Sequence, residues 1–263
     1  MKISAVHHTR GNAIKISGIN SELVITTSMG PRILSLKHKG GENLLYEDQT
    51  GFGVDEWCLY GGHRFTIAPE TEKSYYPDNS PCKVGISDKR LRISAPVRKD
   101  GIRLSMEVST SNSFEGFEIL HHLENLGTTN WSGALWAITC IPRCFNIFAS
   151  CKTDRIQYWP GANPENWDQS GGLITVRPGD FREKIGWFEA GGWLSASGGK
   201  STLKIHNTGK AEAADCVDGG CNLEIFVCRH WTELETLGSV LNVPPGASAT
   251  HLQYWELTDE PND

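Results

Sequence analysis

The sequence lacks the signals of several large classes of protein. No apolar run is long enough for a secretory signal or a membrane span; the best stretch, residues 133–141, is far short of the ~20 residues that a span needs. We therefore expect a cytoplasmic protein without a membrane partner. The 25 Lys and Arg are outnumbered by 31 Asp and Glu, and the net charge of −6 argues against a nucleic-acid partner. No phosphate-binding glycine loop, HExxH or GxSxG motif is found, which leaves nucleotide, zincin and α/β-hydrolase chemistry without support.

Cysteine pairs of the metal-binding type are also missing. Cys140, Cys144 and Cys151 are four and seven residues apart, and Cys216 and Cys221 are five apart, so none forms a CxxC pair. The even number of cysteines, eight, would suit disulfides in a secreted chain. Without a secretory signal we predict reduced thiols instead. We expect neither a metal nor a cofactor, and folding that does not require a metal.

Helical periodicity is nearly absent, whereas alternation of apolar and polar residues is frequent. Residues 90–94, 102–108 and 203–206 alternate cleanly, as in strands with one buried face. Glycine is abundant, at 28 of 263 residues, and Gly-Gly or Asp-Gly pairs occur at short intervals. Many short strands separated by tight turns predict an all-β fold, a sandwich or a barrel, with residues 1–263 as a single domain.

The first candidate site is the segment 60–70, which reads Tyr-Gly-Gly-His-Arg-Phe-Thr-Ile-Ala-Pro-Glu. Its two glycines allow the backbone to turn tightly beside a ligand. His63 suits proton transfer near neutral pH, and the donor fork of Arg64 suits vicinal hydroxyls or a carboxylate. With Glu70 nearby, these residues predict a binding site. The alternative is a turn followed by a surface ion pair between Arg64 and Glu70.

The second candidate is a pair of carboxylates. Extended geometry puts Glu233 and Glu235 on one face of a strand. Two neighbouring carboxylates repel each other, which raises the pKa of at least one and makes it a candidate general base. The alternative is a solvated strand face.

Two further segments contain aromatic or imidazole side chains. Alternation along a strand places His121 and His122 on opposite faces, so they cannot bind one metal together, and a structural role for each is favoured. The segment 158–168 is rich in Pro, Gly and Asn and is predicted to be a loop. Trp159 and Trp167 within it either contact a sugar or seal the edge of the sandwich.

Several segments follow one another in an order typical of one known superfamily. They are residues 61–64, 68–70, 76–79, 123–127, 131–139, 219–224, 233–238, 245–246 and 251–257. In these segments, and over about its full length, the chain resembles the aldose 1-epimerase (galactose mutarotase)-like superfamily, most closely an uncharacterised branch of it.

The resemblance implies a large antiparallel β-sandwich, the galactose mutarotase-like supersandwich, with a sugar bound on a concave sheet. In mutarotases a glutamate takes the proton of the anomeric hydroxyl, and a histidine protonates the ring oxygen. Glu235 matches the position of that base, and Arg64 resembles the substrate-binding arginine. The stretch 136–140, where the acid is expected, contains no histidine. Either His63 or one of His121 and His122 supplies the acid, or the protein is not a mutarotase.

The resemblance and the residues together give one leading hypothesis. The catalytic pair is predicted to be Glu235 as base and His63 as acid. The predicted substrate-binding residues are Arg64, Glu70, Glu224, Glu233 and Trp159. The partner is a small sugar or sugar acid, and the activity is that of an aldose epimerase. The alternatives are a carbohydrate-binding protein without turnover, and a lyase or hydrolase on the same fold.

Overall fold

Strands make up nearly all of the regular structure. The computed structural model describes residues 1–48, 53, 55–87, 89–209 and 211–260. In chain order the strands are β1 (Lys2–His8), β2 (Gly11–Ser17), β3 (Ser21–Thr26), β4 (Arg32–His38), β5 (His63–Ala68), β6 (Lys83–Ser87), β7 (Arg90–Ser94), β8 (Ile102–Thr110), β9 (Gly116–Asn125), β10 (Trp131–Pro142), β11 (Asn146–Ser150), β12 (Ile156–Tyr158), β13 (Trp167–Ser170), β14 (Leu173–Val176), β15 (Glu183–Trp187), β16 (Trp193–Gly198), β17 (Ser201–Asn207), β18 (Leu223–Val227), β19 (Trp231–Leu237), β20 (Leu241–Val243) and β21 (Ser248–Asp259). Short 3-10 helices occur at Glu72–Tyr75, Pro164–Asn166 and Ala213–Asp215. Nowhere in the described chain is a helix long and apolar enough to cross a membrane.

The strands form two large antiparallel sheets. The first sheet has eleven strands in the order β1-β2-β3-β4-β5-β10-β19-β18-β15-β12, with β20 also paired to β10. The second has ten strands in the order β13-β14-β11-β16-β17-β21-β9-β8-β7-β6. The predicted all-β antiparallel sandwich is therefore confirmed.

The core lies between the two sheets and follows the predicted alternation. In β7, Leu91 and Ile93 are fully buried, whereas Arg92 between them is only partly buried. One apolar cluster contains residues of both sheets, including Trp187 of the first and Trp255 of the second. The prediction of a single domain over residues 1–263 stays a prediction.

A network of buried histidines crosses this core. His63 Nε2 lies 2.8 Å from His121 Nε2, and His63 Nδ1 lies 2.9 Å from the hydroxyl of Thr139. His121 Nδ1 lies 2.9 Å from the carbonyl oxygen of His251, whose own Nε2 is 2.7 Å from the Thr236 hydroxyl. His63 and Thr236 belong to the first sheet and the other two histidines to the second, so these hydrogen bonds join the sheets.

Burial keeps these histidines neutral, and hydrogen bonds decide which ring nitrogen of His63 and of His121 carries the proton. Burial lowers the pKa of His63 to about 3 and that of His251 to about 4, and it lowers the pKa of His121 well below 6.5. Because a carbonyl oxygen only accepts, His121 Nδ1 donates to it. The bare His121 Nε2 then accepts from His63 Nε2, and His63 Nδ1 accepts from Thr139. Every polar atom in this part of the network is satisfied without a charge.

A glycine turn starts the strand that carries the first candidate site. Gly61 and Gly62 have φ values of +75° and +66°. A Cβ atom on Gly62 would lie 2.0 Å from the carbonyl oxygen of Ile33. Only glycine fits this close approach, and the turn predicted from the sequence is present. It fixes where β5 begins and therefore which way Arg64 points.

Candidate functional site

A cleft of about 480 Å³ lies on the face of the first sheet that points away from the core. Its aromatic walls are Trp57, Tyr75, Trp136, Trp159, Phe226 and Trp231. Its charged side chains are Arg64, Arg182, Lys184, Glu70, Glu233 and Glu235. Leu59 completes the lining. Aromatic faces beside charged hydrogen-bonding groups are typical of small-molecule sites.

Strand register places the charged residues in two rows across the sheet. Ile138 of β10 is paired with Arg64 on one side and with Glu235 on the other, and Glu235 is paired with Glu224 of β18. Arg64 and Glu235 therefore lie two strands, or about 10 Å, apart. In the next row Glu233 is paired with Phe226, which is itself paired with Lys184 of β15. The floor of the cleft is thus built from five adjacent strands, β5, β10, β19, β18 and β15.

Lys184 is the centre of an ion cluster at one end of the floor. Its Nζ atom lies 2.6 Å from Glu224 Oε2 and 2.9 Å from Glu235 Oε2. The indole N–H of Trp136 also donates to Glu235 Oε2, at 2.7 Å. Burial alone would lower the pKa of Lys184, but the two carboxylates outweigh burial and raise it, so the ammonium stays charged. Two donors therefore hold one oxygen of Glu235.

Glu233 has a different environment on the same face. Its Oε1 atom accepts from the indole N–H of Trp231 at 2.9 Å. Burial raises the pKa of Glu233, the charge of Glu235 raises it further, and Arg64 opposes the shift. The two carboxyl groups share one face of the strand, as the alternation predicted. Glu233 holds a proton more readily than an ordinary glutamate.

Arg64 lies at the other end of the floor, among aromatic rings. Its guanidinium carbon is 5.1 Å from the ring centre of Trp57, 5.5 Å from Tyr75 and 5.8 Å from Trp136. The side chain is only 5% exposed. Glu70 accepts a hydrogen bond from the Tyr75 hydroxyl, and among the described residues no ion pair joins Glu70 to Arg64. The alternative of a surface ion pair is therefore wrong.

Five of the predicted site residues meet in the cleft. Trp159 contacts it from its loop, with the Lys184 ammonium 5.1 Å from its ring centre. The five are Arg64, Glu70, Trp159, Glu233 and Glu235. Trp167 is buried instead, and its indole N–H donates to Glu183. The segment 158–168 thus provides Trp159 to the cleft and, at the first residue of β13, Trp167 to the protein interior.

Two predicted site residues are corrected by the structure. His63 is fully buried on the core side of β5, because neighbouring residues of a strand face opposite ways and Arg64 faces the cleft. It cannot reach a ligand there, and the prediction that it is the acid is wrong. Glu224 is fully buried and does not line the cleft. It acts on the site through Lys184, so the prediction that it contacts substrate is also wrong.

The other candidate histidines do not line the cleft either. His121 is in the core, and His122 lies on the opposite side of β9, 3.3 Å from Glu107, as the alternation predicted. The cleft lining contains no imidazole among the described residues. Within the same part of the chain, no three His, Cys, Asp or Glu side chains converge to hold a metal ion.

Sequence reasoning missed Lys184 and the roles of Trp57 and Trp136. Lys184 is the one partly buried residue of β15, whose other four residues are buried. A Cβ atom on Gly186 would lie 2.9 Å from Glu224 Cγ, so this glycine leaves the room that the ion cluster fills. Trp136 stands within a segment quoted for the superfamily resemblance, but nothing local shows that its indole N–H bonds a carboxylate.

Replacing Lys184 by methionine should destabilise the protein strongly. It leaves the buried carboxylates of Glu224 and Glu235 without their counter-charge, which typically costs about 3–5 kcal/mol. Urea denaturation measures the change. Lys15→Met is the matched control, because Lys15 pairs with Glu22 at 2.8 Å on an exposed surface, where ion pairs contribute about 0–1 kcal/mol. Equal losses in the two variants would contradict this account of the cluster.

Comparison with known proteins shows the class of fold. No family model and no curated protein sequence matches this chain. Among solved structures, a galactose mutarotase-like protein from Lactobacillus casei is 10% identical, with a TM-score of 0.66 over 94% of this chain and 100% of that one. A galactose mutarotase-like protein from Clostridium acetobutylicum is also 10% identical, with a TM-score of 0.62 over 98% and 99%.

A TPR-domain containing protein from Parabacteroides distasonis is 14% identical, with a TM-score of 0.64 over 96% of this chain. This chain spans about half of that protein, 48% of its length. The shared architecture is a two-sheet antiparallel sandwich. More particularly, the chain has the galactose mutarotase-like fold, which confirms the fold that the superfamily resemblance implied.

Proposed function

We propose that the protein binds an aldose or a sugar acid in the cleft and interconverts its anomers. The observation that carries the proposal is the pair Glu233 and Glu235 side by side on β19, opposite Arg64, in an aromatic-walled cleft. The names of the fold neighbours, galactose mutarotase-like proteins, agree with this chemistry. Aromatic rings suit the apolar faces of a sugar, and the charged groups suit its hydroxyls.

Glu235 is proposed as the base. Trp136 and Lys184 both donate to its Oε2 atom, so the carboxylate is fixed in orientation and Oε1 is the oxygen left to accept a further proton. An aldose whose anomeric hydroxyl points at Oε1 loses its proton to this oxygen. Positioned groups of this kind typically contribute about 10²–10⁴-fold to a rate.

Glu233 replaces His63 as the proposed acid. It lines the cleft beside Glu235, and burial raises its pKa, which favours the protonated form that an acid needs. As Glu235 takes the hydroxyl proton, the bond between the anomeric carbon and the ring oxygen breaks and its electron pair goes to the ring oxygen. Glu233 protonates that oxygen, and a carbonyl forms. Rotation of the open chain and reversal of these steps give the other anomer.

The test of the proposed activity is the exchange of anomers by the wild-type protein. A panel of aldoses and hexuronic acids is followed by polarimetry from one pure anomer and by proton NMR exchange at equilibrium. We expect at least one member to equilibrate much faster than in buffer with denatured protein. No acceleration across the panel, with a correctly folded protein, would contradict the proposal.

A second candidate is a carbohydrate-binding protein without turnover. Two observations favour this candidate. Lys184 and Trp136 both donate hydrogen bonds to Glu235, and the described cleft lining contains no imidazole. Calorimetric binding of a sugar whose anomers do not exchange faster would support this candidate. Incubation with oligosaccharides distinguishes the epimerase and the binding protein from a lyase or hydrolase, because only a lyase or hydrolase releases cleavage products.

A further inference from the structure

A second cavity adjoins the cleft beyond Arg64. It encloses about 310 Å³ and shares the side chains of Arg64 and Trp57 with the cleft. We call it the side cavity. The segments 76–78 and 95–99 form much of its wall, and Thr66 of β5 continues the lining past Arg64. A ligand in the cleft that passes Arg64 therefore enters a second enclosed space.

Positive charge dominates the lining of the side cavity. Arg32, Arg64, Arg98 and Lys99 line it, against one carboxylate, Asp78. Asp78 is fully engaged by Arg32, which donates to its two oxygens at 2.8 and 3.0 Å. No carboxylate among the described lining residues is left to neutralise Arg64. Such a concave, cationic surface favours an anionic group.

Arg98 and Lys99 are already positioned by other contacts. Arg98 donates to Asp100 at 2.8 Å and to the Lys73 carbonyl oxygen at 2.9 Å. The Lys99 ammonium lies 4.3 Å from the ring centre of Tyr76. Both residues add to the positive potential, while the donors of Arg98 are directed to Asp100 and Lys73 and the Lys99 ammonium lies over the ring of Tyr76.

Arg64 is a buried cation of this lining for which the described residues provide ring contacts but no anionic partner. Its Nε atom is buried and has no hydrogen-bond partner among the described residues. No described carboxylate lies within ion-pair distance of its guanidinium. A buried guanidinium without an anion is costly, since buried charges are normally paired. Its planar donor fork matches a carboxylate or a phosphoryl group.

We infer that the ligand of this protein carries an oxyanion, a carboxylate or a phosphoryl group, which binds Arg64 at the entrance of the side cavity. The inference rests on the proposed function, because it assigns the substrate class of the same cleft. The sugar ring lies over Glu233 and Glu235, and the anionic substituent lies about two strands away, at Arg64. Pro31, Pro77 and Val97 give the cavity apolar walls for the carbon atoms that carry the charge.

Matched sugars test this assignment. Binding to the wild type is measured calorimetrically at pH 7 for glucose, galactose and mannose, each as the neutral hexose, the hexuronate and the hexose 6-phosphate. A charge-assisted hydrogen-bonded pair predicts that an anionic member binds about ten- to hundredfold more tightly than its neutral counterpart. The form that binds more tightly, uronate or phosphate, identifies the oxyanion.

Two variants separate a local effect from a loss of folding. Arg64→Gln should remove the preference for the anionic sugar. Val97→Glu adds a negative charge to the side cavity at a residue that is 49% exposed, so the fold tolerates it, and it should weaken anionic binding about tenfold. Val240→Glu is the control, at a residue that is 46% exposed and lines neither the cleft nor the side cavity, and it should leave binding unchanged.

The outcomes distinguish this inference from the proposed activity. Equal affinity for the neutral and anionic forms, or no binding of any anionic form to the wild type, would overturn the inference. An equal loss of affinity for both forms in Val97→Glu would also overturn it. Preferential binding of an anionic sugar without faster anomer exchange would support the inference and reject the catalytic proposal. Faster anomer exchange of neutral aldoses, without tighter binding of anionic sugars, would support the catalytic proposal and reject the inference.

Discussion

Glu235→Gln should slow anomer exchange by about 10²–10⁴-fold, the contribution expected of a positioned general base. Glutamine keeps the size of the side chain, and its amide oxygen still accepts from Trp136. Lys184 keeps its second partner, Glu224, at 2.6 Å. The change therefore removes the basic oxygen with little disturbance of its surroundings. Polarimetry on the best substrate of the wild type measures the loss.

The matched control for this variant is Glu183→Gln. Glu183 is also a buried carboxylate of the first sheet, and it too accepts from a tryptophan, the Trp167 indole N–H at 2.9 Å. It does not line the cleft. We expect the control to keep the wild-type exchange rate. A folded Glu235→Gln protein as active as this control would exclude Glu235 as the base.

Acidification from pH 7 to pH 5 should remove about 4–6 kcal/mol of the stabilisation that the neutral core histidines contribute to the folded state. Burial holds the pKa of His63 at about 3 and that of His251 at about 4, with His121 also well below 6.5. Below pH 6.5 the histidines of the unfolded chain therefore bind more protons than those of the folded chain. Their contribution to the free energy of unfolding is complete above that pH and is lost as the pH falls toward 4. At pH 5 each histidine accounts for about 2 kcal/mol, because one pKa unit corresponds to about 1.4 kcal/mol.

Urea denaturation at a series of pH values measures this dependence. The raised pKa values of Glu224 and Glu233 act in the opposite direction, so the decisive comparison is between variants. His251→Gln removes one titrating group and should make stability less sensitive to pH between 5 and 7. His230→Gln, at an exposed position, should leave the dependence unchanged. An identical dependence in both variants would show that the core histidines do not cause the loss.

Local pattern was sufficient to predict the fold and part of the site. Alternation in segments such as 102–108 reports which side of a strand is buried, and strand geometry alone put Glu233 and Glu235 on one face. The same geometry excludes His63, because it is next to Arg64 and so must face the other way. The prediction erred there because the resemblance required a histidine and this one was nearest to the arginine.

The ion cluster could not be predicted from local pattern. Lys184 and Glu235 are about fifty residues apart in sequence, and they meet only because β15, β18 and β19 are neighbours in a particular register. Register between distant strands is decided by the packing of the whole sandwich. The same holds for the side cavity, whose walls come from β5 and from the segments 76–78 and 95–99.

The alternation along β19 also bears on how such a protein can diversify. Glu233 and Glu235 face the cleft, while the alternate residues Leu234 and Thr236 face the interior. Substitutions on the ligand side can therefore accumulate without altering the interior packing, and selection for a new ligand acts on one set of alternate positions. Sequences that share only about a tenth of their residues can keep one architecture, as this chain and its fold neighbours do. A library randomised at Trp159 and Phe226, with interior positions kept, is the natural starting point for changing the specificity of this sheet.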